Sequence, residues 1–94
     1  MKRILFIVNP ISGTQGKEAI LGYIDEMFDK DLFYCHVSKT EFAGHAEELA
    51  RQGAIDGYYI IVAIGGDGTV NEVGRALVHT QSALGIIPCG SGNG

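Results

Sequence analysis

The chain has no tryptophan, only two prolines, only two cysteines and no long apolar run. Each scarcity excludes something. The longest apolar stretch, YYIIVAI (58–64), falls far short of the roughly 20 residues that span a bilayer. Lys2 and Arg3 before ILFIV imitate a signal peptide, but that run is shorter than the about 7–15 residues of an h-region, and Asn9-Pro10 breaks it. Cys35 and Cys89 form no CxxC pair and read as buried thiols of a reducing compartment. Basic residues are outnumbered, with 7 Lys and Arg against 11 Asp and Glu for a net charge of −4, which argues against a nucleic-acid binder. A single bound nucleotide needs only local amides and one or two cations, so the charge does not exclude it. The expectation is a cytoplasmic protein.

Glycine is plentiful instead. It supplies 14 of the 94 residues, against an average usage of roughly 7%. The hydrophobic fraction of 46% is ordinary, and a chain of this size buries only about 60–65% of its unfolded surface. Most of the glycines sit at the ends of apolar runs and do not form a linker.

Those runs are ILFIV (4–8), FYCHV (33–37), YYIIVAI (58–64) and ALGII (83–87). The first, third and fourth are continuous, as expected of strands covered on both faces. Helical spacing fills the intervals: Ile20, Tyr23, Ile24, Met27 and Phe28 in 16–28, Ala46, Leu49 and Ala50 in 43–52, and Val70, Val73, Ala76 and Leu77 in 70–79. Gly53 reads as a left-handed stop, and Thr69 with Glu72 as a capping box. The order β-α-β-α-β-α-β predicts a three-layer α-β-α fold with a mainly parallel four-stranded sheet and flavodoxin/Rossmann-like topology. The loops after the strands then share the edge where such folds bind ligands. They are 9–17, 38–42, 65–69 and 88–94, and three of them are glycine-rich. The chain ends just after the fourth strand, without the next helix. The expectation is one domain over 1–94, the N-terminal part of a longer protein, with an uncovered edge favouring a homodimer.

In GGDGT, the missing side chains at Gly65, Gly66 and Gly68 let amides approach an anion and allow positive φ. The helix that follows directs its unpaired N–H groups into the same space. Asp67 is the unexpected residue, because a bare carboxylate 4–5 Å from a phosphate costs about 3–4 kcal/mol at an effective dielectric near 20. It fits if a divalent cation lies between them, or if it receives the proton of an attacking hydroxyl. A tight turn closed by an aspartate is the plain alternative, but Thr69 and Glu72 already serve the helix start. GGDGTV is not GxGxxG, and Gly16-Lys17-Glu18 lacks the spacer and the following hydroxyl of a Walker loop. Lys17 is a phosphate partner or a solvated lysine, and Asn9 and Ser12 donate to phosphate or close the turn at Pro10. PCGSGNG repeats the recipe with Gly90, Ser91 and Asn93. Cys35 and His36 are neighbours on a strand and point to opposite faces, so they cannot chelate one metal. His45 and His79 read as surface residues away from the loops. No metal cluster and no Ser-His-Asp set is visible.

Asn9-Pro10-Ile11-Ser12-Gly13, Gly65 through Glu72 and Pro88 through Asn93 together resemble the catalytic domain shared by diacylglycerol kinases, sphingosine kinases and bacterial lipid kinases. The resemblance covers the whole chain, although GGDGT alone is shared with NAD kinases. It implies ATP and Mg²⁺, a lipid substrate of diacylglycerol or sphingoid type, and a β-rich second domain through which the protein meets the inner membrane face. Nucleotide contacts would fall on Asn9, Ser12, Gly13, Thr40, Gly66, Asp67, Gly68, Thr69, Asn71, Glu72 and Ser91. The implied role of Asp67 is catalytic, although in some members the base lies in the second domain; the metal ligands are not assigned. Without that domain, the isolated chain is expected to be inactive. Competing readings are a NAD kinase relative, against which NPISG and PCGSGNG stand, and a non-catalytic nucleotide-sensing module. A receiver domain would need an acidic cluster where Asn9-Pro10 lies.

Overall fold

The computed structural model describes residues 2–9, 22 and 24–88. Four parallel strands form one sheet: β1 (Lys2–Val8), β2 (Phe33–Lys39), β3 (Ile60–Gly65) and β4 (Ala83–Pro88), in the spatial order β2-β1-β3-β4. Residues 24–27 are helical (α1), followed along the chain by α2 (His45–Ile55) and α3 (Asp67–Leu77). The expected α/β architecture is present.

The two continuous apolar runs form the middle of the sheet. Ile4 to Val8 of β1 and Ile61 to Ile64 of β3 are all buried. Alternate residues serve opposite layers. Leu5, Ile7, Ile61 and Ala63 meet Ala46 and Ala50 of α2 and Val73, Ala76 and Leu77 of α3. Ile4, Phe6, Val8, Val62 and Ile64 meet Ile24 of α1 on the other face, where Phe28 lies edge-on between Phe6 and Phe33 at 5.6 Å from each. Burying a side chain of this size is worth about 1.5–3 kcal/mol, so slipping either central strand would cost several such terms.

The outer strands differ. Phe33, Cys35 and Val37 of β2 are half-buried while Tyr34 and His36 are exposed, which is one-sided cover and keeps Cys35 and His36 on opposite faces. The continuous run of β4 does not signify cover on both faces, since Leu84 and Ile86 are 42% and 51% exposed among the described residues. They lie at the sheet margin on the side of α3, which centres on β3.

Helix boundaries correct two expectations. Gly53 is not a stop: α2 runs through it to Ile55, and the left-handed glycine is Gly57 at φ 90°. Gly53 is needed for close packing, because a Cβ there would lie 2.7 Å from Leu5 Cδ2 and 3.0 Å from Ile61 Cδ1, both in the core. Finally, α3 starts at Asp67 and ends at Leu77, and His79 lies beyond it as an exposed residue at φ 66°.

Gly74, inside α3, has room: its nearest neighbour to a new Cβ is Leu84 Cδ2 at an ordinary 3.7 Å. Gly74→Ala should therefore raise stability by about 0.5–1 kcal/mol through lost unfolded-state freedom. Gly53→Val should lower it by about 1–3 kcal/mol by overpacking. Urea unfolding followed by circular dichroism checks both signs.

Candidate functional site

From β1 the chain crosses to β2 on one side, then returns past β1 to place β3 on the other. The carboxyl ends of β1 and β3 are thus the point where the connections diverge, and such points form a ligand crevice. The register brings Val8 beside both Lys39 and Ile64, so the segments leaving three strands start at one level. Two ladder-like bonds extend that order: Asn9 N–H donates to Ile64 O at 3.0 Å, and Thr40 N–H to Val8 O at 2.9 Å.

At this edge a cleft of about 300 Å³ opens, at the lower limit of small-molecule sites. Its lining includes Asn9, Thr40, Phe42, Gly68, Thr69 and Glu72. Thr69 is buried, and Asn9 Nδ2 donates to its Oγ1 at a long 3.4 Å.

The junction of β3 with α3 is shorter than the expected loop. Gly65 ends the strand, Gly66 is the N-cap in extended conformation (φ −88°, ψ −167°), and Asp67 already belongs to the helix. The capping box does not form: among the described residues no side chain caps α3, and Glu72 Oε2 instead accepts the Gly44 N–H at 3.2 Å. Thr69 lies too deep in the first turn to cap it. Asp67 is therefore not free of the helix start, because an acidic residue in the first turn is itself favoured by the helix dipole. Nor does Gly66 or Gly68 adopt positive φ. Among the described residues, a first side-chain carbon at either would meet nothing within 4 Å beyond the local backbone, so these glycines leave open space beside the first-turn N–H groups.

Among the predicted site residues, the cleft brings together Asn9, Thr40, Gly68, Thr69 and Glu72. Gly65 is buried, Gly66 is partly covered, and Asp67 stands exposed at the helix start. Asn71 is exposed on α3 and does not line the cleft. Ser12, Gly13, Lys17, Gly90, Ser91 and Asn93 lie outside the described residues, as does Cys89.

His45 is not remote from the loops. Its Nδ1 accepts the Glu41 N–H at 2.9 Å, and the Phe42 ring stacks on it at 4.2 Å, so it shapes the segment that bounds the cleft. Gly44, left-handed at φ 89°, is the N-cap of α2. A glycine directly before a helical pattern was the signal available for that start.

The cleft is acidic. Glu41 and Glu72 line it, Asp67 is adjacent, and no Lys or Arg is among the described lining residues. A phosphate chain would fit the amides of α3 but would meet carboxylates, which a divalent cation offsets. No group of three His, Cys, Asp or Glu that could cage a metal occurs among the described residues. Mg²⁺ typically takes one or two carboxylates together with phosphate oxygens, so the residues present suit a metal that arrives with a nucleotide. The Cys35 thiol is pushed up, chiefly by burial, which suits a structural cysteine. No described helix is long and apolar enough to cross a membrane.

The chain belongs to the diacylglycerol kinase catalytic domain family, whose model matches residues 3–94. It is similar to a diacylglycerol kinase of Bacillus subtilis (strain 168), with 36% identity over 95 residues, covering 99% of this chain and 31% of that protein. Sphingosine kinase 1 of Arabidopsis thaliana is 29% identical over 101 residues, covering 99% of this chain and 21% of its own length. The crystal structure of a diacylglycerol kinase from Bacillus anthracis str. Sterne superposes with a TM-score of 0.76 at 29% identity, over 95% of this chain and 33% of that one. The chain therefore spans about a third or less of the relatives it matches.

The helices beside the cleft are joined by Glu47, which accepts from Arg75 (2.9 and 3.1 Å) and Arg51 (2.9 Å). Those bonds, Arg75 first, hold its carboxyl below the ordinary value of 4.5. A lowered folded-state value gives stability that is present above the ordinary value and lost as pH falls through the lowered one. Thermal melts should show a shallower loss of stability below pH 4.5 for Glu47→Gln than for the parent. Water reaches these side chains, so the effect should be small; identical acid slopes would show that the pair contributes nothing.

Proposed function

We propose that this chain is the nucleotide-binding part of an ATP-dependent lipid kinase, which moves the γ-phosphoryl group of ATP to a lipid hydroxyl. The observation that carries the reading is the start of α3, uncapped among the described residues and opening beside the cleft at the β1–β3 divergence, with open space at Gly66 and Gly68. Relatives named for diacylglycerol and sphingosine support a lipid acceptor.

When bound, ATP supplies the phosphoryl group and Mg²⁺ spreads the charge on its oxygens. The amides at the start of α3 hold phosphate oxygens and, with the helix dipole, stabilise the negative charge that builds there during transfer. Thr69 and Asn9, bonded to each other, form the floor, and Thr40 faces them from the other wall. Asp67 takes the proton of the lipid hydroxyl as its oxygen bonds to phosphorus and the bond to the leaving diphosphate breaks. The exposure of Asp67 at the start of α3 supports that role, since an acceptor arriving from outside can reach it.

The test uses the full-length protein with labelled ATP, offered diacylglycerol, a sphingoid base and NAD in parallel. Label should enter a lipid and not NAD, and EDTA should abolish transfer until Mg²⁺ is restored. Asp67→Asn should lower the transfer rate about 10²–10⁴-fold, as for loss of a general base, with ATP affinity little changed. Label in NAD alone, or an unaltered rate in the variant, contradicts the reading.

A further inference from the structure

The cleft has two walls, α3 and the segment Thr40–Gly44 that joins β2 to α2. The main chain of that segment is fastened mostly to β1 and to the start of α2. Thr40 N–H donates to Val8 O at 2.9 Å, Glu41 N–H to His45 Nδ1 at 2.9 Å, and His45 N–H to Phe42 O at 3.1 Å. The rings of Phe42 and His45 stack at 4.2 Å and 13°. Among the described residues one hydrogen bond joins this segment directly to α3: Gly44 N–H to Glu72 Oε2, 3.2 Å. Three residues further along both elements, Arg75 of α3 donates to Glu47 of α2 at 2.9 and 3.1 Å. The pairs 44/72 and 47/75 are two rungs between the elements, one helical turn apart.

Glu72 is partly buried, and its charge adds to the attraction by which Glu47 chiefly raises the pKa of Arg75. Its Oε2 is therefore engaged by the neighbouring wall, while the Arg75 guanidinium of the next rung is bonded to Glu47. A bond from an amide to a charged acceptor is about twice as strong as one between neutral groups. It also acts at Gly44, whose left-handed φ of 89° sets where α2 begins.

We propose that Glu72 is a positioning residue that holds the Thr40–Gly44 wall against α3 and so sets the width of the nucleotide cleft, and that it touches neither nucleotide nor metal. This rests on the nucleotide reading of the cleft. The GGDGTVNE stretch would then divide its carboxylates by role, with Asp67 facing the acceptor and Glu72 holding the frame.

The variants are Glu72→Ala and Glu72→Gln in the full-length protein. Amide hydrogen exchange is measured over 41–45, and MgATP affinity and transfer kinetics alongside. The alanine variant should exchange faster in that segment and bind MgATP more weakly, each by about tenfold, as expected for loss of one charge-assisted bond. Its KM for ATP should rise more than its kcat falls. Glutamine keeps an acceptor oxygen, so that variant should stay within about threefold of the parent. Unchanged exchange in the alanine variant overturns the proposal. So does a glutamine variant as impaired as alanine, which would mark a direct contact of the charge with ligand or metal. If the parent binds no MgATP, the nucleotide reading falls, and the exchange comparison alone decides whether Glu72 holds the wall.

Discussion

The main chain passes from β3 into α3 through a single residue, Gly66, and among the described residues no side chain caps the helix that results. The described residues thus leave the first-turn N–H groups to whatever occupies the cleft. That arrangement persists because the strand beneath it cannot adjust: Ile61, Ala63 and Ile64 are wholly buried, and β1 pairs with β3 along Ile4 to Val8. With glycine at the N-cap, this start forgoes only about a few tenths of a kcal/mol relative to a serine or aspartate there. Stability elsewhere in the sheet offsets that, and the donors stay available.

Among the described residues that line the cleft the charges are of one sign. Glu41 and Glu72 line it and Asp67 adjoins it, with no Lys or Arg in the described lining, while Arg75 and Arg51 are held by Glu47. Backbone dipoles are therefore the positive feature that the described residues supply. This favours a ligand that carries its own counter-charge, as a magnesium nucleotide does, over a free anion. It also gives a carboxylate at the rim a chemical use, since it repels a bare phosphate yet can accept a proton from a neutral alcohol.

Much of this was legible in the residue order. Continuous apolar runs at 4–8 and 58–64 announced the two central strands, and three-and-four spacing announced the helices between them. The edge that carries the site followed from topology, and Asn9, Thr40, Gly68, Thr69 and Glu72 do meet there. What misled were residues with two uses. Thr69 and Glu72 have the spacing of a capping box, but tertiary contacts claim both, Asn9 for the hydroxyl and Gly44 for the carboxylate. Gly53 looks like a terminator but is a packing glycine under Leu5 and Ile61. The stacking of His45 on Phe42 joins a helix to a loop, and no one-dimensional period encodes such a contact. The apolar run of β4 looked like a covered strand because hydrophobicity does not tell an edge from a centre.

The most direct test is the structure of the full-length protein with Mg²⁺ and a non-hydrolysable ATP analogue. Phosphate oxygens should lie about 3 Å from the main-chain nitrogens of Gly68 and Thr69, at ordinary hydrogen-bond distance. A phosphate chain ordered elsewhere, with the first turn of α3 facing only water, would contradict the claim that this helix start is the anion site.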